Sequence, residues 1–174
     1  RIMQYSLGGH GFLWSNLSAV NNPSARNPAA PRSQWMNFGG YKVWPAPQTQ
    51  WGGPPDPPGS ALDGGAWLGQ LNQRSGPTVS VTLTSPADKA VTGLQITRRI
   101  SLSTGSTRLH VKETFTNVGN RNITWSIWDV TQVPGSLQPG VKASPEACIC
   151  FPLNANSSHP EGFFNISGEG GGQW

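Results

Sequence analysis

The clearest pattern in the chain is an alternation of apolar and polar positions between Thr78 and Val133. Period-2 alternation places successive side chains on opposite faces of a strand. In Thr78–Thr84, Val79, Val81 and Leu83 alternate with Ser80 and Thr82. In Thr92–Leu102, Leu94, Ile96, Ile100 and Leu102 share one face, and Gln95, Thr97, Arg99 and Ser101 the other. Leu109, Val111 and Phe115 oppose Arg108, His110, Lys112, Thr114 and Thr116 in Thr107–Asn117. In Asn122–Val133, Ile123, Trp125, Ile127 and Val133 oppose Thr124, Ser126, Trp128, Val130 and Gln132. The turn signals Ser103-Thr104-Gly105-Ser106 and Val118-Gly119-Asn120-Arg121 separate these runs, so four consecutive antiparallel strands are expected in a meander. Each strand has one apolar face. A sheet cannot cover its own apolar face, so a second sheet is required and an antiparallel β-sandwich follows.

Part of the second sheet is expected from an N-terminal hairpin, Ile2–Leu7 with Gly11–Trp14. The stretch Asn16–Gly76 differs from the rest. It is heavy in Pro, Gly, Asn and Trp, with short strand candidates only around Tyr41–Trp44 and Ala66–Leu71. Trp35, Trp44, Trp51 and Trp67 argue that it is ordered, folded against an edge or the polar face of the sheet. With no repeat or linker, residues 1–174 read as one domain. The opening Arg1-Ile2-Met3 already reads as strand and the closing Gly170-Gly171-Gly172 has no final element. The sandwich is therefore expected to be incomplete at both ends, with strands beyond residue 174 and marginal stability in isolation.

Composition supports an all-β reading. The 174 residues include 22 Gly and 16 Pro but only 12 Lys or Arg and 8 Asp or Glu, a poor mixture for helices. The net charge of +4 comes from scattered residues with no basic cluster, so no nucleic-acid partner is expected. No run reaches the roughly 20 apolar residues of a membrane span. Cys148 and Cys150 read as two buried small hydrophobes; no metal-ligand spacing joins them to His10, His110 or His159. No metal and no cofactor is expected. The compartment stays open, with a periplasmic or secreted one preferred. The sequons at Asn16, Asn122, Asn156 and Asn165 carry no weight in so Ser- and Thr-rich a chain.

Candidate chemistry lies in the aromatic run from Trp35 to Trp51. Lys42, Trp44, Gln48 and Trp51, followed by Asp56, combine indoles with polar side chains on Gly- and Pro-shaped loops. A sugar ring offers an apolar C–H face to an indole and a hydroxyl rim to fixed donors and acceptors. The competing reading is that these Trp fill core beneath a loop. Trp128 stands by strand parity on the polar face, as a stacking platform or the seat of a covering loop, with Trp125 in the core. Arg108 and His110 share that polar parity. Glu113 and Asp129 fall on core parity, which requires buried partners or a bulge. No carboxylate pair for glycoside hydrolysis can be placed, and no nucleotide, zincin or nucleophile-elbow motif occurs.

The run Gly39-Gly40-Tyr41-Lys42-Val43-Trp44-Pro45-Ala46-Pro47-Gln48, with Trp51, Pro55-Asp56 and Leu62-Asp63-Gly64-Gly65, resembles an uncharacterised bacterial domain family of the galactose-mutarotase-like superfamily. Leu94–Ile100, Val111–Gly119 and Trp125–Gln132 resemble it too, and the similarity fades after Val133. The resemblance implies a large antiparallel supersandwich with a sugar-sized groove on a concave sheet face. The leading expectation is a carbohydrate-binding domain recognising a mono- or oligosaccharide through Lys42, Trp44, Gln48, Trp51, Asp56, Arg108 and Trp128. One alternative is an aldose mutarotase or epimerase using His110 or another acid, with its carboxylate supplied by strands beyond residue 174, although Trp128 stands about where such enzymes carry their acid His. The other is a non-catalytic structural domain of a surface or secreted protein.

Overall fold

The computed structural model describes residues 1–22, 36–51, 60–73, 75–134 and 155–156. Two compact units divide the chain, Arg1–Val133 and Pro134–Trp174, and the elements below all belong to the first. That unit is all-β apart from single helical turns, and every strand pairing in it is antiparallel. Its strands are β1 (Ser6–Leu7), β2 (His10–Gly11), β3 (Tyr41–Ala46), β4 (Leu68–Gln73), β5 (Thr78–Thr84), β6 (Leu94–Ser103), β7 (Leu109–Asn117) and β8 (Ser126–Thr131). Two four-residue helices, α1 (Leu17–Val20) and α2 (Ser60–Asp63), complete it together with a 3-10 turn at Gln48–Gln50.

The largest sheet has the order β4-β5-β6-β7. Its register aligns Leu83 with Arg98, Val81 with Ile100, Ile96 with Phe115 and Arg98 with Glu113. One face therefore carries Leu71, Val79, Val81, Leu83, Leu94, Ile96, Arg98, Ile100, Val111, Glu113 and Phe115, and the alternation read from the sequence holds. The reversal after β6 uses Gly105, whose φ of 73° suits a residue without a Cβ.

The fourth expected strand does not continue this meander. After β7 the chain leaves the sheet, Ile123 and Trp125 pack into the core, and β8 pairs with β3 instead. Alternation identifies a strand and its buried face but not its neighbour, and Trp125 explains the departure. Its indole N–H donates to the Thr92 carbonyl at 2.9 Å, pinning the crossover beside β6 rather than along β7. β3, which the sequence offers only as a short candidate inside a loop-like stretch, thus becomes a central element. Ile2 bridges Tyr41 on its other edge, with N–H to carbonyl distances of 3.0 and 2.9 Å. The expected N-terminal hairpin shrinks to two residues per strand, and a single bridge is its contribution beside β3.

The second layer covers one end of the large sheet. Val43, Leu62, Leu94 and Ile96 are the buried centre, surrounded by Trp67, Phe115, Ile123 and Trp125. Toward the other end of the same face Leu71, Val79 and Leu102 are 50%, 41% and 37% exposed. β4 is exposed at all six positions and forms one edge of its sheet. The result is a sandwich-like packing that is deep at one end and open at the other among the described residues.

The Gly39-Gly40 pair has a steric reason. Both have positive φ, 83° and 74°, and a Cβ on Gly40 would meet the Ile2 carbonyl oxygen at 2.3 Å. Backbone to backbone approach at that distance admits only glycine.

Candidate functional site

Tyr41, Lys42, Val43, Trp44 and Pro45 lie consecutively on β3, and four of the five are buried. Buried strands accept side chains on both faces, so β3 joins two environments. Toward the large sheet, Val43 enters the apolar core and the Tyr41 hydroxyl meets Glu113 Oε1 at 3.2 Å and Asp129 Oδ1 at 2.6 Å. On the other face, Lys42 and Trp44 share parity with Trp128 and Val130 of β8.

Trp44, Trp51 and Trp128 form one aromatic cluster. Trp44 meets Trp51 edge-on at 5.2 Å and Trp128 edge-on at 5.7 Å between ring centroids. Trp51 and Trp128 stack at 6.1 Å with 25° between planes. Cross-strand pairing of Trp44 with Trp128 brings two of these rings together. The turn at Gln48–Gln50 returns the third, and the Trp51 indole N–H donates to the Pro45 carbonyl at 2.7 Å. Exposure separates the three. Trp51 is 1% exposed and Trp44 7%, whereas Trp128 is 38% exposed. Two indoles therefore serve as packing, and the third presents a surface backed by them.

Beside this cluster is a charged cleft lined by Arg1, Lys42, Val43, Leu62, Asp63, Trp67 and Arg98, of about 210 Å³ counting the part open to solvent. Arg1 Nη2 donates to both Asp63 oxygens at 2.8 and 2.7 Å. The Trp44 indole N–H donates to Asp63 Oδ1 at 2.8 Å, which links the aromatic cluster to the cleft. Lys42 Nζ lies 3.8 Å from the centre of the Trp44 ring, a cation–π geometry. Burial, reinforced by the Arg1 charge, pushes the Lys42 ammonium down to about 8. Arg98 is 1% exposed, and its Nε donates to Glu113 Oε1 at 2.5 Å. Its guanidinium carbon also lies 5.1 Å from both the Tyr41 and the Trp67 ring centres. The Glu113 carboxyl is pushed up by burial, which outweighs the opposing charge and hydrogen bond of Arg98. Burial and the hydrogen bond to Asp129 drive the Tyr41 hydroxyl above its ordinary range.

The residues singled out from the sequence separate into three groups. Lys42, Trp44, Trp51 and Trp128 come together, with half-buried Gln48 on the turn between Trp44 and Trp51. Arg108 and His110 do not join them. Both are exposed, and His110 faces Ser101 across the β6–β7 pair, on the face opposite Glu113. The shared polar face expected for Trp128 and His110 is thus replaced by two different sheets, because β8 changes partner. Asp56 lies outside the described residues.

Glu113 and Asp129 both meet the Tyr41 hydroxyl. Glu113 faces inward as its parity required, whereas Asp129 is exposed on β8, contrary to the core place its parity suggested, because β8 pairs with β3 instead of β7. The sequence reasoning missed Arg98, Asp63 and Arg1. Arg98 had a signal, since it shares the parity of Leu94, Ile96 and Ile100 and an arginine there must be paired if buried. Asp63 and Arg1 had none, because only the folded chain brings them together across 62 positions. Among the described residues no cluster of His, Cys, Asp and Glu could hold a metal ion, and no helix is long and apolar enough to cross a membrane. No family model, curated protein or solved structure matches this chain.

Proposed function

We propose that the Arg1–Val133 unit is a carbohydrate-binding β-sandwich module that stacks a sugar ring on Trp128. The observation that carries this reading is a partly exposed indole held rigid by two buried ones. An aromatic face fixed before binding costs little side-chain entropy when a ligand arrives. Ser126, exposed on the same face of β8, offers a hydroxyl next to the platform. The sequence resemblance to the galactose-mutarotase-like superfamily supports the same ligand class. An anomer-exchanging enzyme would need an acid and a carboxylate across one sugar. His110 and the inward-facing Glu113 stand on opposite faces of one sheet, so this reading takes its carboxylate from chain beyond residue 174.

A second reading, a structural domain without a sugar ligand, is favoured by one observation: Trp44 and Trp51 are core residues. Titration of intrinsic Trp fluorescence against a panel of mono- and oligosaccharides separates the two. A saturable spectral change that Trp128→Ala abolishes is the expected result. A flat response across the panel would leave the structural reading in place.

A further inference from the structure

We propose that the outward face of β6 and β7 binds a polyuronate, a polysaccharide whose sugars each carry a carboxylate. The antiparallel register sets Arg99 directly opposite Lys112 and Ser101 opposite His110, on the face away from Arg98 and Glu113. Arg108 leads into β7 in the same alternation as His110 and Lys112, and all four of these basic residues are exposed. Basic residues that are scattered along the sequence are thus gathered on one sheet surface. Like charges placed directly opposite each other weaken a ladder. Nothing acidic offsets them here among the described residues. Asp88 is buried, Glu113 faces the other way, Asp129 belongs to β8 and Asp63 to α2. None of Arg99, Arg108 and Lys112 takes part in an ion pair among the described residues.

The face also selects the kind of anion. Arg108, His110 and Lys112 recur at every second residue, about 7 Å apart along the strand. A linear polymer with regularly spaced charges matches that repeat better than a single ion does. Hydroxyls stand between and beside the cations, among them exposed Thr114 and half-buried Ser101. A uronate chain keeps its own hydroxyls for such side chains to meet, whereas sulfation consumes them. Its carboxylates suit the guanidinium forks. Phe115 is the only Phe, Tyr or Trp on β4 to β7, and it faces the core. The surface therefore lacks the stacking platform that a single-stranded nucleic acid uses. This site does not depend on the Trp128 reading, because β8 pairs with β3 in a different sheet.

The test is binding of the full chain to immobilised polygalacturonate, read by surface plasmon resonance. The expected result is saturable binding that weakens as salt rises and is absent on neutral dextran. Arg99→Gln and Lys112→Gln should each weaken it about threefold to fivefold and Lys112→Glu about tenfold or more, whereas Trp128→Ala leaves it unchanged. Lys112→Glu also sets a carboxylate opposite Arg99, so its thermal midpoint should stay level or rise, which separates lost binding from lost folding. No binding to polygalacturonate, or undiminished binding by Lys112→Glu, overturns the proposal. So does a hold on single-stranded DNA or dextran sulfate as tight as that on polygalacturonate.

Discussion

Replacing Glu113 by Gln tests how the core holds a buried cation. Arg98 and Glu113 face each other across the β6–β7 ladder, 2.5 Å apart, with side chains 1% and 5% exposed. Removing the carboxylate charge strands the guanidinium away from water, a change that costs about 3–5 kcal/mol in buried pairs. Arg98 keeps the Tyr41 and Trp67 rings at 5.1 Å each, so the lower end, about 3 kcal/mol at neutral pH, is expected. The pair Arg98→Met with Glu113→Leu removes both charges at similar volume and should come within about 1 kcal/mol of the unmodified chain. Urea unfolding followed by circular dichroism measures both, with the midpoint moving and the slope constant. A loss below about 1 kcal/mol at neutral pH would refute the buried-pair account.

Lys42 should make stability depend on pH. With its ammonium lowered to about 8, the unfolded chain holds a proton that the folded one has lost, so stability rises from about pH 8 toward 10.5. Between pH 7 and 10 the gain is about 2–3 kcal/mol, and urea midpoints of Lys42→Met should lack it. Gly40→Ala places a Cβ against the Ile2 carbonyl at a φ of 74° and should cost at least about 2 kcal/mol in the same assay. Trp51→Ala empties a buried site and should cost about 3–5 kcal/mol, whereas partly exposed Trp128→Ala should cost about 1–2 kcal/mol, both read from thermal melts.

The large sheet was legible in the sequence because each of its main strands has one apolar and one polar face. The run Thr78–Thr84 recurs unchanged as β5, and β6 and β7 shift by one or two residues at their ends. Pairing was less legible. The alternation of Ser126–Thr131 is equally compatible with a place beside β7 or beside β3, and the choice rests on where Trp125 is anchored. β3 itself was hard to see because it is buried on both faces, so Tyr41–Ala46 lacks period-2 contrast and contains a proline. The aromatic cluster was legible as composition, and its division into packing and surface was not. Trp44 and Trp51 are enclosed by contacts that only the β3–β8 pairing creates. The buried charges were nearly invisible, because α2 and the first residue meet β3 through tertiary contacts alone.

The most direct test of the carbohydrate reading is the indole N–H region of a nitrogen-15 spectrum, where eight Trp give eight signals at most. The Trp128 signal is identified by its loss in Trp128→Phe, and saccharides are then titrated into the unmodified chain. The account predicts that the Trp128 signal moves saturably while the enclosed Trp51 signal shifts little. Movement of no indole signal, or binding undiminished in Trp128→Ala, would contradict it.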